Sequence, residues 1–212
     1  MLGVTQTLAW ASSYYLPAIL AVPMARDLGV STPTVFAAFS AALVLSALIG
    51  PYAGRSIDLR GGRPVLMATN LVFAIGLVVL AYADGVAGLF VGWLFLGIGM
   101  GSGLYEAAFS ALVRIYGHEA RGPITGVTLI AGFASTVGWP LSTWLEVSFG
   151  WRGACLAWAV LHVAIALPLN WSLPRATSGA EQGGRHPVPP AAEAEAGGAR
   201  TSWLLAYIFA AT

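Results

Sequence analysis

The chain has 212 residues, 58% hydrophobic and 9% charged, with a formal net charge of +1 and a mean hydropathy of +0.77. Soluble domains carry roughly 25% charged residues, so this composition excludes an ordinary soluble protein, and no basic cluster argues for a nucleic-acid partner. The single cysteine, Cys155, excludes an intrachain disulfide and leaves no metal-ligand set; neither a metal nor a cofactor is expected.

A bilayer core of about 30 Å takes about 20 helical residues to cross. The first apolar run covers residues 3–25. It lacks a basic leader region and is longer than a signal-peptide core of about 7–15 residues, so it reads as a spanning helix. Further runs follow at 34–52, 64–83, 86–113, 124–146 and 151–171. Residues 1–171 are thus expected to form a six-helix transmembrane bundle. From 172 to 201 the composition shifts to Pro, Gly, Ala, Glu and Arg, a disordered cytoplasmic linker too polar to bury a core. Residues 202–212 begin a seventh apolar run. A half-span leaves its backbone unsatisfied in lipid, so the chain reads as truncated.

Arginine placement sets the orientation. Arg55, Arg60, Arg63, Arg114, Arg121, Arg175, Arg185 and Arg200 flank the joints after runs two, four and six, against Arg26 and Arg152 at the other joints. The first group, and the N-terminus with it, is expected in the cytoplasm of a cell whose inner or plasma membrane holds the chain.

Between runs two and three lies Gly54-x-x-x-Asp58-x-x-Gly61-x-Arg63, a charged hinge whose glycines permit a tight turn. This spacing and position resemble the cytoplasmic loop signature of the major facilitator superfamily of secondary transporters. The family's usual basic positions after the aspartate and after the second glycine hold Leu59 and Gly62 here, with Arg60 and Arg63 supplying the charge. The resemblance implies the N-terminal half of a transporter and a gating role for Gly54, Asp58, Gly61 and Arg63. Gly61-Gly62-Arg63 is echoed by Gly150-Trp151-Arg152, which is consistent with a 3+3 inverted repeat.

Small residues recur every fourth position at Ala38, Ala42, Ser46, Gly50 and Gly54, and run four carries Gly97, Gly99, Gly101 and Gly103; both patterns suit close helix packing. Runs three and six are almost purely apolar and are expected to face lipid. Runs one, four and five carry polar lines, which in lipid turn towards protein or a water-filled cavity. Gln6, Trp10, Tyr14, Tyr105, Thr136 and Trp139 are the expected cavity residues, in keeping with the family's use of helices one and four. Glu106 is the one acidic residue well inside an apolar run. It is either a proton-coupling group or a structural partner of the cytoplasmic arginines. His162 reads as a satisfied helix histidine. Trp93 stands where many antiporters of the family carry arginine, which lowers the case for a proton-antiporting drug pump.

Gly101-x-Gly103-x-Tyr105-Glu106, Gly132 to Pro140 and Gly150-Trp151-Arg152 also resemble bacterial facilitators of the monocarboxylate or organic-anion type. The expected function is transport of a small organic anion or metabolite by alternating access, with the bilayer and a second transporter half as partners. The alternatives are a membrane receptor or sensor on the same fold, or an efflux pump of the same superfamily. An enzyme is not expected, since no intramembrane constellation of His, Asp or Glu is present.

Overall fold

The structure, a computed structural model, describes residues 1–174. Residues 175–201 of the expected linker, the seventh run, and Arg175, Arg185 and Arg200 lie outside the described residues. The elements are α1 (Leu2–Ser12), α2 (Leu16–Asp27), α3 (Thr32–Arg60), α4 (Gly62–Ala81), α5 (Val86–Gly103), α6 (Tyr105–Tyr116), α7 (Arg121–Ala131), α8 (Ala134–Leu161) and α9 (Leu167–Trp171). A 3₁₀ turn, Gly117–Ala120, joins α6 to α7, and a π turn, His162–Ala166, joins α8 to α9. Among the described residues four stretches are long and apolar enough to cross a membrane: Leu2–Asp27, Thr32–Arg60, Gly62–Ala81 and Val86–Trp171. The last, at 86 residues, is several times the length of one crossing.

Three of the expected spans are broken midway, and they are the three with polar lines. The first run is α1 and α2, parted at Ser13–Tyr15; the fourth is α5 and α6, parted at Leu104; the fifth is α7 and the start of α8, parted at Gly132–Phe133. At the first break Pro17 has no N–H to give the Ser13 carbonyl, and the Tyr15 amide reaches back to the Trp10 carbonyl instead. At the second, Leu104 is extended (φ −80°, ψ −161°).

The expected hinge at 54–63 is shorter than its glycines suggested. Ser31 caps α3 by accepting the Thr34 amide, and the helix then continues through Pro51 to Arg60. Hydropathy marks where the apolar face ends, not where the helix does. The joint is Gly61 alone, at φ 86°, ψ 159°. Gly150 interrupts α8 in nearly the same conformation, at φ 70°, ψ 171°. Both angles lie in a region that only glycine occupies without strain.

The glycines of α5 are divided between two neighbours. A Cβ at Gly97 would fall 2.5 Å from the Ala42 carbonyl oxygen, and one at Gly101 would strike the Ser46 carbonyl, both on α3. Gly99 and Gly103 face Phe73 and Thr69 of α4. Residues four apart share a helix face and those two apart nearly oppose each other, so one ladder seats two helices. The upper part of the small-residue line on α3 is thus filled within this bundle, while Gly50 and Gly54 meet nothing within 4 Å.

Runs three and six do not face lipid all round. One side of each is apolar and exposed, at Leu71 and Ile75 and at Val160 and Val163. The other side holds a buried polar knot. His162 lies at the start of the π turn, with Nε2 2.7 Å from Ser12 Oγ and Nδ1 3.0 Å from Asn70 Oδ1. Asn70 donates Nδ2 to the Leu66 carbonyl, so its Oδ1 receives the imidazole Nδ1–H. In the neutral ring Nε2 is then the acceptor for the Ser12 hydroxyl. The ring is stacked on Phe73 with centroids 4.9 Å apart, which bears out the reading of His162 as a satisfied histidine.

At one end of the bundle Arg152 gathers three joints. Its Nη2 is 2.9 Å from Asp27 Oδ2, and its Nη1 donates to the carbonyls of Ala81 and Ala83 at 2.7 and 3.0 Å. Trp151 Nε1 donates to the same Asp27 oxygen, and the guanidinium lies over the Trp151 ring, 4.4 Å from its centroid.

Candidate functional site

The breaks in the first and fourth runs lie side by side. A helix that stops inside lipid leaves carbonyls without partners, and Gln6 answers one of them. Its Nε2 donates to the carbonyl of Gly103, the last residue of α5, at 2.7 Å. Gln6 is buried, and its Oε1 has no partner among the described residues.

One turn further on, Trp10 packs against Tyr105, the first residue of α6, with centroids 4.9 Å apart. Its ring also meets Tyr14 at 5.2 Å and Tyr15 at 6.1 Å, while its indole Nε1 is buried without a partner. Tyr15 reaches Trp139 of α8 edge-on at 6.2 Å, and Tyr14 reaches Phe39 of α3 at 5.7 Å. The irregular backbone at Ser13–Tyr15 turns successive side chains to directions that a continuous helix would deny them. Four helices and the break between α1 and α2 thereby contribute to one aromatic wall.

Among the expected cavity residues, Gln6, Trp10, Tyr14 and Tyr105 are brought together, and Trp139 joins through Tyr15. Thr136 is exposed on α8 and lines, with Trp139, Ser135 and Thr143, a groove of about 660 Å³. Tyr15 and Phe39 were not expected. Tyr15 lies off the face that a regular helix would give Gln6 and Trp10, and only the break brings it in. Phe39 sits on the run read as a packing ridge. It stacks edge-on against the buried Trp93 at 5.2 Å.

Glu106 is exposed, in the first turn of α6. It forms no ion pair among the described residues, where the pair present is Arg152–Asp27. A carboxylate is well placed at a helix N-terminus, whose free N–H groups carry partial positive charge. That placement accounts for an acidic group here without a cytoplasmic arginine.

The gating stretch is arranged differently from a side-chain latch. Arg114, in the last turn of α6, donates to the main-chain carbonyl of Asp58, so it closes the end of α3 and leaves the Asp58 carboxylate free among the described residues. A Cβ at Gly62 would overlap Ala111 of α6, which binds the start of α4 to the same helix. Gly54 is helical and open, and Arg63 follows the joint on α4.

Every described arginine lies near a helix end or joint: Arg26, Arg55, Arg60, Arg63, Arg114, Arg121 and Arg152. The chain has no lysine. None of these arginines is among the wall's residues, and among the described residues Glu106, next to Tyr105, is the charged group beside it.

The family profile of the Major Facilitator Superfamily matches residues 2–212. An uncharacterized 38 kDa protein in the 23S RNA operon of Thermoproteus tenax is 32% identical over 168 residues, which is 76% of this chain and 43% of that protein. Monocarboxylate transporter 14 of Mus musculus is 29% identical over 62% of this chain and 24% of its own length. The purine ribonucleoside efflux pump NepI of Shigella dysenteriae is 27% identical over 76% of this chain and 41% of its own length. The chain spans less than half the length of these relatives.

Proposed function

The chain belongs to the Major Facilitator Superfamily, and on that premise we propose that it forms one half of a secondary transporter moving a small organic solute across a membrane by alternating access. The observation that carries this reading is the coincidence of the helix breaks with the polar and aromatic lines. Discontinuous helices expose backbone and side chains at the midplane, where transporters bind their cargo. Gln6, Trp10, Tyr14, Tyr105 and Trp139 form this half's wall of the site, and the second half supplies the facing wall.

The proposed architecture is six spans in a 3+3 inverted repeat. The shared conformation of Gly61 and Gly150, three spans apart, supports it. The N-terminus and the Gly61 joint lie on the cytoplasmic side of a cell membrane, as the arginine bias favours. Gly54 and Asp58, which are open in this half, then meet the second half in one of the two access states. Glu106 is the candidate coupling group.

The test is reconstitution of the complete transporter in proteoliposomes, with uptake and counterflow measured for a panel of labelled organic solutes. Saturable exchange of at least one of them, absent from empty vesicles, is the expected result. Purified, folded protein that exchanges none while binding a signalling partner would favour the receptor reading.

A further inference from the structure

The wall carries a statement about cargo chemistry. Of the four buried polar side-chain atoms without a partner among the described residues, Gln6 Oε1 and Trp10 Nε1 lie together at this wall, while Trp93 Nε1 and Asn170 Oδ1 lie elsewhere. A buried polar atom without a partner costs about 1–3 kcal/mol, so native structures leave few of them. Here an acceptor and a donor stand one turn apart on α1, where Trp10 meets Tyr105 at 4.9 Å. The tilted and edge-on rings of Tyr14, Tyr15 and Tyr105 about Trp10 suit a flat solute. The free acceptor and donor suit one that offers a donor and an acceptor along one edge.

Charge narrows the class. A carboxylate taken out of water needs a cation or a set of free N–H groups. The chain has no lysine, and its described arginines lie near helix ends or joints. Two helices begin at this site: α6 already carries Glu106 in its first turn, and at the start of α2 the Leu16 and Ala18 amides are bonded to the Ser13 and Tyr15 carbonyls while Pro17 has no N–H to offer. On this wall an anionic cargo would meet aromatic faces, whose π-clouds are negative, and a carboxylate.

From this we infer that the wall binds an uncharged planar solute with an amide-like or heteroaromatic edge, and disfavours its carboxylate counterpart. The inference rests on the transporter reading of the same site. It departs from the organic anion expected from sequence resemblance.

Two matched pairs test it, nicotinamide against nicotinate and uracil against orotate, which differ by a carboxylate. Binding to the complete protein in detergent is followed by tryptophan fluorescence and by thermal shift. The expected result is at least tenfold tighter binding of the uncharged member of one pair. Trp10→Phe, which keeps the ring and removes the N–H, should weaken that binding severalfold, and Tyr105→Ala should abolish it, with folding verified by an unchanged unfolding profile in the absence of ligand. Equal or reversed preference overturns the inference, as does the absence of saturable binding of any of the four to folded protein. Transport assayed on the same preparation separates the two readings. A carried carboxylate with no affinity for the uncharged rings sinks this inference and leaves the transporter; binding of the uncharged ring without exchange sinks the transporter and leaves the wall.

Discussion

Ser12 Oγ and His162 Nε2 lie 2.7 Å apart across 150 residues of sequence. The contact joins the end of α1, where the first run breaks, to the π turn between α8 and α9, and through Asn70 it reaches α4 as well. The Ser12 hydroxyl has a second acceptor in the Leu8 carbonyl, also 2.7 Å away, so its one proton is contested. Polar contacts between membrane helices are worth about 0.6 kcal/mol on average and up to about 1.7 kcal/mol. A double-mutant cycle of Ser12→Ala and His162→Phe should return a coupling in that range. It is read from unfolding in mixed micelles. Zero coupling would mean that the two side chains are neighbours without an energetic bond.

The open and filled parts of the α3 line make opposite predictions. Gly97→Leu should destabilise the bundle by about 1–3 kcal/mol, the usual cost of overpacking, because the Ala42 backbone lies against it. Gly54→Leu has nothing within 4 Å. It should leave unfolding unchanged yet impair transport by the complete protein, where the second half approaches. Normal transport with Leu at 54 would show that no helix docks there.

Glu106→Gln separates coupling from structure. The amide keeps the shape and cannot ionise. If Glu106 carries the coupled proton, the variant should lose uptake driven by a pH gradient and keep counterflow. Loss of both modes, or of neither, removes Glu106 from that role.

Arg152→Lys should behave almost as a deletion. The guanidinium serves Asp27, Ala81 and Ala83 at once, and an ammonium lacks that planar fork. The ion pair itself is partly exposed and worth at most about 1 kcal/mol. The loss therefore comes mainly from the two carbonyls, about 1–3 kcal/mol if they stay dry. Faster proteolysis at the joints near Asp27 and Ala83 is the readout. A Lys variant as resistant as the parent would contradict it.

The apolar helical runs were legible because a lipid-facing helix must be apolar over its whole length, and hydropathy reports just that. The breaks were not, since hydropathy averages over Ser13–Tyr15 and Leu104 without registering backbone direction. Pro17 and Gly132 were the available signals. Gln6 and Trp10 were named from helical periodicity before the break, Tyr14 by carrying that period into it, and Tyr105 as the neighbour of the polar line on the fourth run. Tyr15 did not, because periodicity fails at the break itself. Runs three and six were read as greasy on the strength of their averages. Asn70 and His162 find each other across 92 residues, a pairing that no local pattern encodes.

The Arg152 cluster also has a place in time. Asp27 is synthesised early and Arg152 arrives 125 residues later, which at about 5–20 residues per second is a delay on the order of ten seconds. Through that interval the ends of α2 and α4 have no common tie, and Asp27 waits for its cation. The cluster closes only when the sixth run has threaded, so it registers completed assembly of the helices before it. Ribosome-bound chains halted before residue 152 should therefore leave those ends open to protease, and chains released beyond it should not.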